Sequence, residues 1–222
     1  MRIYIAYRNQ DPDAREELLH LRTNLSLIPH SEIAKCRSDG YLYYSKGILK
    51  LQLVSIPSMN PLFVSFDLLE RRAKDSLFKQ NLIKAVGIGK GRRPSVLDGT
   101  AGLGSDAFLM ASTGSSVSLF ERNAIIYELL KDGLKRYELS GSKGSEISTR
   151  MHVEKRDFVE LADLKRNFDV VYLDPMFPST KKNSLSKRPM YYLQKFLEED
   201  VSDHTMLSLA KRIAAKRVVV KR

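Results

Sequence analysis

From Pro94 onward, short apolar runs alternate with amphipathic stretches. SVLD (95–98) is an apolar run that ends in an acid, and the glycine-bearing GTAGLG comes directly after it. Residues 104–113 predict a helix, with Ala107, Phe108, Leu109 and Ala111 among its small and apolar positions. SSVSLFE (115–121) alternates with a period of two and predicts a second strand. Residues 123–138 set Ile126, Leu129, Leu130, Leu134 and Tyr137 at helical spacing, behind Asn123 as the N-cap. SGSKGSEIS (140–148) has the composition of a loop. MHVEKRD (151–157), FDVVYLD (168–174) and KRVVVKR (216–222) predict three further strands. Strands separated by helices imply right-handed crossovers and a parallel sheet covered on both faces.

The earlier part of the chain has a different pattern. MRIYIAY predicts a strand, and DGYLYYSKGILKLQLV (39–54) predicts an antiparallel hairpin or two short strands. Residues 66–86 read as one long amphipathic helix or two, ending near Gly87. The expected organisation is a small N-terminal α/β subdomain over 1–60, a helical bridge over 61–90 and an α/β domain over 91–222.

Composition narrows the function classes. Hydrophobic residues make up 43% of the 222, enough for a substantial core. No stretch approaches the roughly 20 apolar residues of a membrane span, and MRIYIAYRNQ lacks the apolar core of a signal peptide. Cys36 is the only cysteine, which excludes an intrachain disulfide and fits a reducing cytoplasm. His20, His30, His152 and His204 show no metal-ligand spacing, so no metal is expected. Formal charge is +11, from 37 basic against 26 acidic residues. Three runs lack acids: 84–93, 179–188 and 211–222. Such runs are often solvated faces, and their meaning depends on whether folding gathers them.

Chemistry concentrates where the predicted strands stop. Asp98, Glu121, Asp157 and Asp174 each end one, and ligands of parallel sheets bind beyond those carboxyl ends. Gly102-x-Gly104-x-x-Ala107 permits tight turning and close backbone approach before a helix N-terminus. Alone it fits a nicotinamide- or flavin-dependent oxidoreductase equally well. The absence of GxxxxGK[ST] argues against a nucleotide triphosphatase. Glu121 is placed to accept from ribose hydroxyls, which dinucleotides and S-adenosylmethionine share; a surface glutamate paired with Arg122 is the plainer alternative. Asp98 would repel a pyrophosphate at the glycine turn and suits a cationic amino group or sulfonium. Asp106, in the first helical turn, points the same way. Asp157 suits an adenine amine, or the N-cap of the next helix.

VVYLDPMFPSTKK (170–182) adds the acceptor side of the chemistry. Asp174 and the backbone carbonyl of Pro175 can accept the two protons of an exocyclic base amine. Phe177 can stack on the ring, or simply cap the core. Lys181, Lys182, Lys187 and Arg188 come next as a basic loop suited to RNA phosphates.

DGTAGLGSDAF, LFERN, VVYLDPMFP and AAKRVVVKR, together with LFVSFDLLERRAKDSLFKQNLIKAVGI upstream, resemble the ribosomal small-subunit methyltransferase J family. The resemblance spans most of residues 62–222. It implies a Rossmann-like class I S-adenosylmethionine-dependent methyltransferase fold, with the small N-terminal α/β subdomain before it. It also implies methylation of the guanine N2 amine in 16S ribosomal RNA, with small-subunit RNA or a ribosomal particle as partner. Ser105, Asp106, Glu121, Arg122, Arg156, Asp157 and Asp174 fall at the family's cofactor-contacting positions, beside Asp98, Gly102 and Gly104 of the loop. The family usually has arginine where this chain has Ser105, and its members continue beyond KRVVVKR. The competing readings are the oxidoreductase and a non-catalytic RNA-binding module on the same fold.

Overall fold

Two β-sheets organise the chain, which a computed structural model describes over residues 2–7, 18, 21, 25–73, 77–89, 91–163, 168–175 and 203–221. Among these residues the chain divides into two compact units between Val64 and Ser65.

The first unit holds a four-stranded sheet of β1 (Ile3–Tyr7), β2 (Leu27–Pro29), β3 (Gly40–Ser45) and β4 (Ile48–Leu53), in the order β2-β1-β3-β4. The expected hairpin is β3–β4, antiparallel from Gly40↔Leu53 to Ser45↔Ile48. Lys46 and Gly47 turn it, with φ of 54° and 67°. Two positive φ values in succession match the right-handed twist of the flanking strands. Strand β2 was not expected: it has three residues, ends in proline, and lies at the edge of the sheet in parallel with β1.

The second unit begins with helices α1 (Phe66–Ala73) and α2 (Asn81–Val86), with a short 3-10 turn at Leu77–Lys79 between them. Gly87, at φ 82°, closes α2 in the left-handed conformation that glycine adopts without a Cβ clash. The alternation then runs β5 (Val96–Asp98), α3 (Ser105–Ser112), β6 (Val117–Glu121), α4 (Ala124–Glu138), α5 (Ser142–Ser148), β7 (Met151–Lys155), β8 (Phe168–Leu173), α6 (Asp203–Ile213) and β9 (Ala214–Val220). The five strands are all parallel, in the order β7-β6-β5-β8-β9.

Two expectations need correcting. Strand β6 does not alternate, because all five of its residues are buried. A central strand of a parallel sheet is covered on both faces, so Ser118 goes inside with Val117 and Leu119. Residues 140–148 are not a loop: α5 occupies 142–148. Its buried Ile147 pulls the segment against the unit, and Gly144 lets it come close. A Cβ at Gly144 would sit 2.0 Å from the Tyr137 carbonyl oxygen. Packing has overridden a composition poor in helix formers.

Cores lie on both sides of this sheet. Leu97, Phe120, Phe158, Val171, Leu173, Leu209 and Ile213 belong to one cluster. Elsewhere Phe66 stacks on Phe108 at 5.1 Å, and Tyr137 meets Phe108 edge-on at 5.4 Å, joining α1, α3 and α4. Such aromatic pairs add about 0.5–1.5 kcal/mol beyond the area they bury. Helix α4 starts as expected: Asn123 Oδ1 accepts from Ile125 N at 2.9 Å and Ile126 N at 3.2 Å. Satisfying those donors fixes where β6 ends and the helix begins.

Candidate functional site

Strand order reverses at β5, whose neighbours β6 and β8 lead away in opposite directions. Such a switch point leaves a crevice beyond the carboxyl ends of the strands. The five strand ends bring Asp98, Glu121, Asp157, Asp174 and Lys221 to that edge. Four of these were expected as acids, and the fifth is a cation that was counted only as part of a basic run.

The loop between β5 and α3 is tied to both neighbouring strands. Gly99 N donates to Tyr172 O at 3.0 Å, and Ala101 N donates to Phe120 O at 3.1 Å. Gly102 N donates to Glu121 Oε2 at 2.9 Å. Asp174 N donates to the Thr100 hydroxyl at 2.7 Å. The glycines have separate tasks. Gly104 has φ 74°, and a Cβ there would meet Leu130 Cδ1 at 2.6 Å, so this position serves packing. At Gly102, φ 53°, a Cβ would have, among the described residues, only the Thr100 carbonyl oxygen near it, at 3.9 Å. The backbone there faces open space that a ligand can approach.

The acids differ in setting. Asp98 is 1% exposed and accepts from Thr100 N at 3.1 Å. Burial pushes its carboxyl up to about 8, the Thr100 N–H opposes this, and Asp106, Asp174 and Glu121 add to the rise. Glu121 is buried as well, which excludes the surface-glutamate alternative. Its second oxygen, Oε1, accepts from Asn123 N at 2.7 Å. Burial raises the Glu121 carboxyl above its ordinary range, and the bonds from Asn123 and Gly102 pull it back.

Asp106 and Asp174 share one cation. Lys221 Nζ donates to Asp106 Oδ2 at 2.8 Å and to Asp174 Oδ2 at 2.7 Å. The buried Tyr172 hydroxyl donates to the same Asp106 oxygen. Burial and then the Asp106 bond push the Tyr172 hydroxyl well above the ordinary phenol range. Arg122 lies 3.9 Å from Asp157. Asp157 Oδ1 also accepts from Val159 N at 3.2 Å, the capping role that was its alternative. The Arg156 guanidinium sits over the Phe120 ring at 5.9 Å, and Ser105 is exposed at the start of α3. Pro175 is buried. Phe177, Lys181, Lys182, Lys187 and Arg188 lie outside the described residues.

Parts of two basic runs do meet, away from the crevice. Arg92, Arg93, Lys216 and Arg217 line one hollow with Asp169, near the opposite ends of β8 and β9. They serve the fold there. Arg92 Nε donates to Gly87 O at 2.9 Å, Arg217 donates to Ala85 O at 2.8 Å, and Lys216 pairs with Asp169 at 2.8 Å. Cations on the last carbonyls of α2 complement its dipole.

Among the described residues, no group of His, Cys, Asp and Glu is arranged to hold a metal ion. No described helix is long and apolar enough to cross a membrane. Sequence reasoning missed Thr100, Tyr172 and Lys221. A phenol inside the apolar VVYL was the visible sign of Tyr172, and a lysine directly after VVV was that of Lys221.

The family model for S-adenosylmethionine-dependent methyltransferases matches residues 26–222. The "Ribosomal RNA small subunit methyltransferase J" of Tolumonas auensis is 36% identical over 217 residues, covering 96% of this chain and 85% of that protein. Its namesake in Thioalkalivibrio sulfidiphilus is 37% identical over 227 residues, covering 100% and 87%. This chain belongs to the ribosomal RNA small subunit methyltransferase J family. The crystal structure of a SAM-dependent methyltransferase from Neisseria gonorrhoeae superposes with a TM-score of 0.73 at 27% identity, covering 99% of this chain and 84% of that one. The fold is therefore the Rossmann-like methyltransferase fold and the methyl donor is S-adenosylmethionine, which sets the oxidoreductase reading aside.

The methyltransferase's residues fit that donor. Each Glu121 oxygen accepts one backbone N–H and keeps further acceptor capacity for a ribose hydroxyl. The open backbone at Gly102 admits close approach. Asp98, Asp106 and Asp174 line the loop with acidic side chains, which suits a sulfonium better than a pyrophosphate.

Proposed function

We propose that this methyltransferase modifies the exocyclic N2 amine of a guanosine in small-subunit (16S) ribosomal RNA, acting in the cytoplasm on the RNA or on a ribosomal particle. The supporting observation is the placement of Asp174. Its backbone N–H is held by Thr100, its carboxylate lies at the switch point beside the glycine loop, and Pro175 comes next in the chain.

An exocyclic base amine is a weak nucleophile because its lone pair is delocalised into the ring. The Asp174 carboxylate and the Pro175 carbonyl accept its two protons and turn the nitrogen toward the reacting carbon. Bound S-adenosylmethionine supplies the methyl group on a sulfonium sulfur. Asp174 then takes the proton that the nitrogen sheds and passes it to water. Positioning of this kind contributes most when reacting atoms are held about 3–3.5 Å apart.

On the donor side, Glu121 holds the ribose and Asp98 and Asp106 face its cationic end, with Gly102 and Gly104 shaping the turn. Ser105, Arg122, Arg156 and Asp157 complete the donor contacts. On the RNA side, Phe177 stacks on the guanine, while Lys181, Lys182, Lys187 and Arg188 meet phosphates. Residues 91–222 carry the chemistry in this reading, with the helical bridge at 61–90 and the small α/β subdomain at 1–60 preceding them in the chain.

The test uses small-subunit particles from cells lacking this protein, with isotopically labelled donor. Digestion to nucleosides and mass spectrometry should place the label in N2-methylguanosine. Label in another base, or none at all, would refute the assignment, and RNA binding without transfer would leave only a binding module.

A further inference from the structure

Strand β9, at the edge of the parallel sheet, brings an unassigned cation into the site. Lys221 N donates to Leu173 O at 2.9 Å, so the strand register puts Lys221 beside Asp174. From there Nζ reaches two carboxylates on different elements, Asp106 on α3 at 2.8 Å and Asp174 after β8 at 2.7 Å. Half-exposure of the side chain keeps it open to the crevice mouth. Among the described residues, no other side chain donates a hydrogen bond to the Asp174 carboxylate.

We propose that Lys221 is a positioning residue for methyl transfer: by bridging Asp106 and Asp174 it fixes the Asp174 carboxylate where it accepts from the target amine. This rests on the proposed role of Asp174 as acceptor of the amine protons. The need for such a cation comes from the groups that converge there. Asp98 ends β5, Asp106 starts α3, Glu121 with its neighbour Arg122 ends β6, and Asp174 with Tyr172 comes from β8. Asp106 and Asp174 both add to the rise of the buried Asp98 carboxyl, the mark of like charges brought close around one loop. An ammonium between two of them relieves that repulsion and restricts their rotamers together. Burial draws the Lys221 ammonium down, but its bonds to Asp106 and Asp174 outweigh this and hold it above the ordinary lysine range. It therefore stays charged wherever the enzyme works. Tyr172 contributes by fixing the Asp106 oxygen that Lys221 uses.

The experiment compares wild type with Lys221→Met, which keeps the stem and loses the charge, and Lys221→Arg, which keeps the charge. Three quantities are read: the pH profile of kcat on small-subunit particles, affinity for S-adenosylhomocysteine, and the carbon-13 titration of the aspartate carboxyls in the protein without donor. In Lys221→Met the acid limb of kcat should move up by about one pH unit, the order of shift that losing an adjacent cation produces. The carboxyl titration of the cluster should move the same way, and Lys221→Arg should restore both. A melting temperature near that of the wild type confirms that Lys221→Met folds; should it not fold, Lys221→Gln carries the same readouts. An unshifted profile and titration in a folded, charge-free variant would overturn the proposal, as would an equal loss at every pH that Lys221→Arg fails to repair. If wild type itself methylates no guanine amine, it is the functional reading that fails, and the carboxyl titration still decides whether Lys221 controls the cluster.

Discussion

Gly102 N–H donates to the carboxylate of Glu121 at 2.9 Å, so the residue proposed to hold the donor's ribose also fastens the glycine loop. In the proposed site, ligand contact and loop geometry are coupled through one side chain. Glu121 spans from β6 to the glycine turn and, through Asn123 N, to the start of α4.

Glu121→Ala should therefore do two things at once. Losing two ribose hydrogen bonds to a charged acceptor costs about 3 kcal/mol or more, over about a hundredfold in dissociation constant. Gly102 N and Asn123 N lose their acceptor too, so the urea midpoint should fall. Calorimetry with S-adenosylhomocysteine and an unfolding curve separate the effects. Unchanged affinity would remove Glu121 from the donor site.

Asp98 predicts a pH dependence. Its carboxyl holds a proton up to about 8 in the folded chain, against 3.8 for the ordinary group. Between those values the folded state binds more protons than the unfolded one, so this residue makes stability fall as pH rises, by on the order of a few kcal/mol. Asp98→Asn should flatten that slope in urea titrations between pH 4 and 8, with the gain over wild type largest at pH 8. The cationic donor should favour the ionised form. Affinity for S-adenosylmethionine should thus climb with pH across this window more steeply than affinity for S-adenosylhomocysteine.

Gly104→Ala tests the loop itself. The new Cβ would lie 2.6 Å from Leu130 Cδ1 at a backbone φ of 74°. Strain and overpacking together should destabilise the protein by about 1–3 kcal/mol, measured as a lowered denaturation midpoint. A neutral substitution would mean that α3 and α4 are not held at this spacing.

Much of the second unit was legible because its signals are local. Asn123 caps α4 through its own side chain, Gly87 ends α2 in a conformation few other residues adopt, and β5 and β6 end at the acids Asp98 and Glu121. What escaped depended on distant partners. Helix α5 forms because Ile147 and Gly144 find places against the rest of the unit, which composition does not reveal. Lys221 read as surface charge because its two acceptors lie 47 and 115 residues away in the chain. Thr100 takes its role from Asp174 N, 74 residues away, which donates to its hydroxyl.

Lys181 and Lys182 give a prediction that rests on sequence alone. If they meet RNA phosphates, replacing both with alanine should lower the slope of log affinity against log salt by up to about 1.5. Donor affinity should stay nearly constant. Identical slopes for the two proteins would mean that RNA approaches from elsewhere.

The role of Asp174 is tested most directly by single-turnover methyl transfer in Asp174→Asn at saturating donor, on small-subunit particles from cells lacking the protein. Asparagine keeps the shape and the backbone bond to Thr100 but removes the negative acceptor. Transfer should slow by at least about a hundredfold, with affinity for S-adenosylhomocysteine reduced far less and wild type yielding N2-methylguanosine. Transfer at close to the wild-type rate would contradict the assignment of Asp174 as the acceptor.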